Sequence, residues 1–222
     1  NAGIALERGY LTRAMIMRMI KISEMRDPKE TGAHANRVAS YSVEIYDRYA
    51  FHKNISEKTR TKYRDSLRVA AMLHDVGKVS IPDSILKKNG RLTDEEFKVM
   101  QTHTWRGAAL FKPITSFVDE IAVEIALRHH ENWDGSGYPG FINKETGDAE
   151  QVDEKTGKNQ GLKGEEIPLG ARIVAMADVY DALSSKRSYK DSWTEEDILE
   201  ELKKMSGKKF DPEIAKAFFE VL

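Results

Sequence analysis

The chain of 222 residues carries 35 basic and 36 acidic side chains, a net charge of −1, and its residues are 40% hydrophobic and 32% charged. This length and balance fit one compact soluble domain, or at most two small ones. They exclude a strongly basic protein that binds duplex DNA or RNA through its net charge, so any recognition of phosphate must be local.

Three absences narrow the class of protein further. Cysteine is absent, which excludes disulfides and thiolate zinc sites, so any metal must be held by imidazole and carboxylate groups. There is no apolar run near the length of a membrane span and no secretory signal, so we expect a cytoplasmic domain without membrane contact. Because the first residue is Asn1 and not Met, we also expect a domain excised from a longer chain.

Apolar residues recur at three- and four-residue spacing along most of the chain, which predicts amphipathic helices. The predicted helices cover residues 4–26, 32–51, 57–76, 116–132 and 169–185. Capping patterns mark three more helix starts: the box that Thr93 opens, Thr194, and Asp211 followed by a proline. Strand-like alternation is nearly absent. We therefore predict a single all-α domain.

Residues 141–160 break the helical pattern with the polar segment FINKETGDAEQVDEKTGKNQ. Its turn signals, ETGD and EKTGK, predict a polar loop or hairpin insertion on the surface. An insertion of this length in a compact domain is either functional or merely tolerated and mobile. The sequence leaves both interpretations open.

Five of the six histidines, together with two aspartates, stand at the ends of apolar helical segments such as AAMLHD, IALRHH and IVAMAD. Buried histidine and aspartate must be paired or bound to metal, because burying them alone is costly. A single histidine is usually a satisfied core or surface residue, and we interpret His52 in that way. The whole set is typical of a metal site in a helical bundle.

Nitrogen and oxygen ligands without sulfur suit iron, manganese or zinc. The candidate ligands are His34, His74, Asp75, His103, His129, His130 and Asp178. These exceed the needs of one ion, so we predict two metals about 3.5–4 Å apart that share a bridging carboxylate. Asp75 is the natural bridge, because it follows a ligand histidine directly.

Several motifs in fixed order resemble the HD-GYP branch of the HD phosphohydrolase superfamily. They are HDVGK at 74–78, His103, HHENWDGSGYPG at 129–140 and ADVYDALSSKRSYK at 177–190. The resemblance implies a helical bundle with a bi- or trinuclear centre, usually of iron or manganese, and the activity of bacterial phosphodiesterases that degrade cyclic di-GMP. It covers the chain from about Asp27, so we expect an HD-GYP-like domain at 27–222. We expect residues 1–26 to be a helix that links it to an upstream regulatory domain.

Carried over residue by residue, the resemblance implies the seven ligands above and adds Glu30. Some family members hold a third metal with a glutamate four residues before the first histidine, and Glu30 stands there, before His34. A spacing of four puts both on one helical face. The alternative is a solvent-exposed glutamate in the first turn, favoured by the helix dipole.

The resemblance also assigns substrate contacts. Lys78, Arg187 and Lys190 would bind phosphate, although each could equally be an ordinary surface base. Gly137, Tyr138 and Pro139 would border the substrate site and contact a protein that synthesises cyclic di-GMP, with a purely structural turn as the alternative. Asp181, one turn beyond Asp178, would orient a ligand or water. Asp75, Lys78 and Asp181 are thus the predicted catalytic residues.

The predicted reaction is attack of a metal-bridging hydroxide on phosphorus, with the 3′ oxygen leaving, to give pGpG and then GMP. One alternative is another cyclic dinucleotide, such as cyclic GMP-AMP, and the insertion at 141–160 departs from the family beside the expected site mouth. The others are a non-catalytic dinucleotide-binding signalling module and a partner-binding module. The N-terminal helix predicts a homodimer or, as readily, a helix packed on the bundle.

Overall fold

The computed structural model describes residues 14–23, 25–27, 32–154, 157, 159–185 and 194–222. Three predicted site residues, Glu30, Arg187 and Lys190, lie outside the described residues, as does the first part of the predicted N-terminal helix. Within the described ranges the chain forms helices, two short 3₁₀ helices and isolated β-bridges, without a named strand. The all-α prediction is confirmed.

The helices follow one another through short turns, and we number them in chain order. They are α1 (residues 14–23 and 25–26), α2 (Gly32–His52), α3 (Glu57–Ala71), α4 (Asp83–Leu86), α5 (Asp94–Gln101), α6 (His103–Ala109), α7 (Phe117–Arg128), α8 (Leu169–Ser185), α9 (Glu195–Met205) and α10 (Pro212–Val221). The 3₁₀ helices span Val76–Ser80 and Gly164–Glu166. None of the described helices has the length and apolar character needed to cross a membrane.

The core lies where α2, α3, α7, α8 and α10 pack together. Apolar residues at helical spacing, such as Val38, Ile45 and Tyr46 on α2, are fully buried there. The other helices bring in Leu67, Ile125, Ile173, Met176 and Phe218. Burial of an apolar side chain of this size stabilises the fold by about 1.5–3 kcal/mol, so this cluster fixes how the helices that carry the histidines are arranged.

Local capping chemistry sets several helix starts where the sequence predicts them. Thr93 and Glu96 form both hydrogen bonds of a capping box, and Thr194 forms the same box at the start of α9. The Asp211 side chain accepts a hydrogen bond from the backbone of Glu213 at the start of α10. Side-chain acceptors of this kind satisfy amide groups that have no partner inside the helix.

Helix α3 ends at Ala71, five residues before the predicted end. The next residues turn into the 3₁₀ helix because the chain approaches α6 closely at Gly77. A Cβ atom on Gly77 would lie 1.9 Å from the carbonyl oxygen of His103. This contact requires glycine, and it places the His74–Asp75 pair beside the first residue of α6.

Helix α1 packs on the bundle near this turn. Ile20 is buried in a small cluster with Ala35 and Leu73, next to His74. The Arg26 guanidinium donates to the carbonyl oxygens of Val79 and Ile81 and forms an ion pair with Asp83. The described part of the N-terminal helix therefore covers the segment that follows the HD motif.

The insertion is a pair of small hairpins, as the sequence predicts. Isolated bridges join Ile142 to Ala149 and Val152 to Asn159. Its base is closed by a 2.9 Å hydrogen bond from the Phe141 amide to the Gln160 carbonyl. Each tip has a glycine with positive φ, +78° at Gly147 and +65° at Gly157, a conformation that costs glycine little. The segment thus leaves the domain and returns to it at nearly one point.

Candidate metal centre

Five segments of the bundle converge on one buried site. His34 lies on α2, His74 and Asp75 in the turn after α3, His103 at the start of α6, His129 and His130 directly after α7, and Asp178 on α8. Their ligand atoms form two groups, each within 4.8 Å: Asp75 with His103, His129 and His130, and His34 with His74 and Asp178. This His/Asp cluster is able to bind metal.

Asp75 joins the two groups. Its Oδ1 lies 3.2 Å from Nε2 of His103 and 3.5 Å from Nε2 of His129. Its Oδ2 lies 3.3 Å from Nε2 of His74, which belongs to the other group. One carboxylate thus presents an oxygen to each group, which is the geometry that a bridging ligand requires.

Backbone carbonyls fix the tautomers of three imidazoles. Nδ1 of His74, His103 and His129 lies 2.8, 2.7 and 2.9 Å from the carbonyl oxygens of Ala71, Met100 and Ile125, respectively. A carbonyl only accepts, so each Nδ1 carries the proton and each Nε2 presents a lone pair.

These lone pairs face a carboxylate. Nε2 of His103, Nε2 of His129 and Oδ1 of Asp75 are buried and make no hydrogen bond. Buried acceptors that face one another are costly, and a cation between them would satisfy all of them at once. The donor set therefore fits a divalent metal.

His34 is held by a carboxylate instead of a carbonyl. Its Nδ1 donates to Oδ2 of Asp181 at 2.7 Å, and its Nε2 lies 3.5 Å from Oδ1 of Asp178. Arg37 donates to both oxygens of Asp181, at 2.6 and 2.9 Å. Burial alone would raise the pKa of Asp181, but the hydrogen bonds from His34 and Arg37 outweigh it and lower that pKa. Sequence analysis missed Arg37, although its spacing of three from His34 puts both on one face of α2.

The electrostatics favour the protonation states that metal ligands need. Burial would raise the pKa of Asp75, but Lys78, whose Nζ lies 2.8 Å from Oδ2, and the neighbouring imidazoles hold that pKa well below its usual range. Burial lowers the pKa of His129 and takes the pKa of His130 well below its usual value. An ionised carboxylate and neutral imidazoles bind metal without first losing protons.

The loop after His130 is folded tightly against the site. The ring of Tyr138 stacks on His130, with centroids 4.7 Å apart, and contacts Phe97 edge-on at 5.7 Å. A Cβ atom on Gly137 would lie 2.2 Å from the backbone nitrogen of Asn132, so this turn requires glycine. Pro139 directly follows Tyr138. Gly137 therefore has a structural role in the turn, and Tyr138 borders the histidines.

Glu131, which sequence analysis also missed, ties this loop to both ends of the insertion. Its Oε1 accepts from the Gly140 amide at 2.8 Å and from Arg128 at 3.0 Å, and its Oε2 accepts from the Leu162 amide at 3.1 Å. Glu131 is 2% exposed. The signal in the sequence was an acid placed directly after two candidate ligands, where burial demands partners.

Comparison with protein families matches residues 31–183 to the HD domain. The chain belongs to the HD domain family. The HD-GYP resemblance inferred from the motifs is confirmed by relatives of that type: the cyclic di-GMP phosphodiesterase of Thermotoga maritima is 40% identical over 200 residues, 90% of this chain and 46% of that protein. The 3′3′-cGAMP-specific phosphodiesterase 2 of Vibrio cholerae is 36% identical over 99% of this chain and 37% of its own length. The HD domain chain thus spans less than half the length of these relatives.

Solved structures agree on the fold of this HD domain. A cyclic GMP-AMP-specific phosphodiesterase of V. cholerae superposes with a TM-score of 0.57 at 20% identity, over 93% of this chain and 48% of that one. The HD domain of an L. monocytogenes phosphodiesterase, in complex with cyclic di-AMP, superposes with a TM-score of 0.53 at 18% identity, over 92% of both chains. At these identities the likeness establishes the helical architecture alone.

Proposed function

We propose that this domain is a metal-dependent phosphodiesterase that hydrolyses cyclic di-GMP to pGpG and then to GMP. The observation that carries the proposal is the position of Asp75 between two groups of ligand atoms, with the Nε2 lone pairs of His103 and His129 aimed at it. The relatives named as cyclic di-GMP phosphodiesterases support the choice of substrate.

In this proposal the seven His and Asp residues hold the metals, with Glu30 as a further ligand, and the nitrogen and oxygen donors favour iron or manganese. Bound there, such ions activate water and neutralise charge on the phosphate. Asp75 bridges the two groups, and Asp181 keeps the proton of His34 on Nδ1 so that Nε2 stays available. Tyr138 closes one side of the site over His130.

Lys78, Arg187 and Lys190 are proposed as phosphate contacts. The ammonium of Lys78 lies against Asp75, at the edge of the cluster, with 17% of its side chain exposed. From there it can reach a phosphate bound beside Asp75 and offset the negative charge that develops during hydrolysis.

Two partner proposals complete the assignment. The turn at Gly137, Tyr138 and Pro139, together with Phe97, which is 44% exposed, is proposed to contact a protein that synthesises cyclic di-GMP. A homodimer through α1 is supported by the exposure of Met15 at 62% and Met25 at 76%, because exposed apolar side chains on one helix favour association.

A second candidate substrate is cyclic GMP-AMP, for which one relative that matches 99% of this chain is named specific. The ratio of kcat/KM for the two dinucleotides decides between them. A non-catalytic binding module would instead bind a dinucleotide without turnover.

The test is hydrolysis of both dinucleotides by domain purified anaerobically and loaded with Fe(II) or Mn(II), with products separated by chromatography. Asp75→Ala should abolish product. Asp65→Ala, which changes an exposed aspartate on α3, should leave it intact. Failure of the metal-loaded wild type to convert either dinucleotide would contradict the proposal.

A further inference from the structure

Lys209 lies in the turn between α9 and α10, within the sequence GKKFDP. The residues that follow it anchor the turn. Phe210 is 1% exposed in the main core. Asp211 is buried, accepts from the Glu213 amide and pairs with Arg172 of α8 at 2.6 Å. A buried ion pair and a buried aromatic ring fix the position of the backbone at Lys209.

The same turn is hydrogen-bonded to the loop that leaves the metal centre. The amide of Trp133 donates to the Lys209 carbonyl at 3.1 Å, and the amide of Asp134 donates to the Lys208 carbonyl at 2.8 Å. Arg172 also lies over the ring of Trp133, 5.6 Å from its centroid. Lys209 is therefore held within three residues, across one hydrogen bond, of His130.

The side chain of Lys209 is half-buried, whereas that of Lys208 is exposed. Burial lowers the pKa of Lys209, and the carboxylate of Asp178 acts in the opposite direction and raises it, which places the ammonium within the field of that candidate ligand. With the part of the chain that the structure describes, this side chain forms neither an ion pair nor a hydrogen bond. A half-buried cation without a carboxylate partner is poised to bind an anion.

We propose that Lys209 binds a phosphate of the substrate at the Asp178 side of the metal centre. Lys78 lies beside Asp75 and Lys209 near Asp178, so the two lysines serve different ligand groups. A cyclic dinucleotide has two phosphodiesters, and only one is cleaved in each step, so the site needs cations for both. The inference rests on the proposed function and adds a binding residue to it.

The test compares Lys209→Met with Lys208→Met, a matched change at the exposed neighbour. Expected for Lys209→Met is a KM for cyclic di-GMP that rises roughly ten- to a hundredfold, the loss of one charged hydrogen bond. The kcat and the metal content should stay near wild type, Lys209→Arg should restore part of the affinity, and Lys208→Met should change nothing. Melting temperatures of all variants check that they fold.

Two results would overturn the inference while leaving the proposed function intact. One is an unchanged KM in Lys209→Met. The other is a loss of metal without a change in KM, which would make Lys209 a support for Asp178. If the wild type does not hydrolyse the dinucleotide, its Kd is measured by calorimetry for wild type and Lys209→Met. Weaker binding by the variant then supports Lys209 although the proposed activity fails, and equal or absent binding by both proteins contradicts Lys209 as well.

Discussion

Asp181 accepts a hydrogen bond from Nδ1 of His34 at 2.7 Å while Arg37 holds the same carboxylate from the other side. His34 is the one member of the cluster for which a carboxylate, and not a backbone carbonyl, is seen to fix the tautomer. A carboxylate partner also makes the imidazole a stronger ligand. The Asp181–Arg37 pair is therefore positioned to adjust the group formed by His34, His74 and Asp178.

Asp181→Asn should weaken metal binding roughly 10–100-fold, because the neutral amide holds His34 less firmly. The measurement is metal retained in the presence of a competing chelator, quantified by elemental analysis. Ser185→Ala is the control, because its hydroxyl lies 3.4 Å from Asp181 and leaves the pair with His34 in place. Equal retention by Asp181→Asn and wild type would contradict this role.

The depressed pKa of His130 makes the metal-free domain sensitive to acid. In the unfolded chain this imidazole takes up a proton near its ordinary pKa of about 6.5, whereas in the fold it does so only at lower pH. Between these two values the unfolded state binds more protons, so stability falls as the pH drops below about 6.5. The melting temperature of metal-free wild type should fall more steeply in this window than that of His130→Asn. Parallel curves would show that His130 does not contribute.

Gly147 lets the first hairpin of the insertion lie on Trp105. A Cβ atom there would sit 2.5 Å from Nε1 of the indole. Gly147→Ala should detach the hairpin and reduce hydrogen-exchange protection of the Phe141 amide. Gly157→Ala is the matched control, because it has the same positive φ but no atom within 4 Å of the added carbon. Equal protection in the two variants would mean that the contact with Trp105 does not order the insertion.

The insertion should be removable without loss of the metal centre. Replacing residues 143–158 by Asn-Gly keeps Ile142 in its buried position and allows a two-residue turn between Phe141 and Gln160. We expect unchanged metal content and a melting temperature within about 5 °C of wild type, since little buried surface is lost. The ratio of kcat/KM for cyclic di-GMP and cyclic GMP-AMP then reports whether the insertion selects the substrate. Loss of metal would show that the insertion supports the centre.

Glu131 should be among the most sensitive positions outside the ligands. Glu131→Ala leaves Arg128 buried without its partner and two amides unsatisfied, which costs about 3–5 kcal/mol of unfolding free energy. Glu131→Gln keeps one acceptor oxygen and should cost less. Urea unfolding measures both, with the exposed Glu165→Ala as control. A cost below 1 kcal/mol for Glu131→Ala, the range typical of surface pairs, would contradict the anchoring role.

The accuracy of the sequence analysis follows the range of the interactions involved. The starts of α5, α9 and α10 were predicted correctly because Thr93, Thr194 and Asp211 cap within three residues. The end of α3 was predicted five residues too late, because it depends on the contact between Gly77 and His103. That contact joins residues 26 positions apart, and no local pattern encodes it.

The sequence by itself determined the fold class, the limits of most helices, the family and the chemical types of the candidate ligands. These properties follow from helical periodicity, capping and short motifs, all of which are local in the chain. Only the tertiary structure decided that Asp75 links two ligand groups and that Arg37 supports Asp181. It also decided that Lys209, 31 positions after Asp178 in the chain, lies within the field of that carboxylate. Such relationships depend on how the buried faces of the helices pack, which brings distant parts of the chain together.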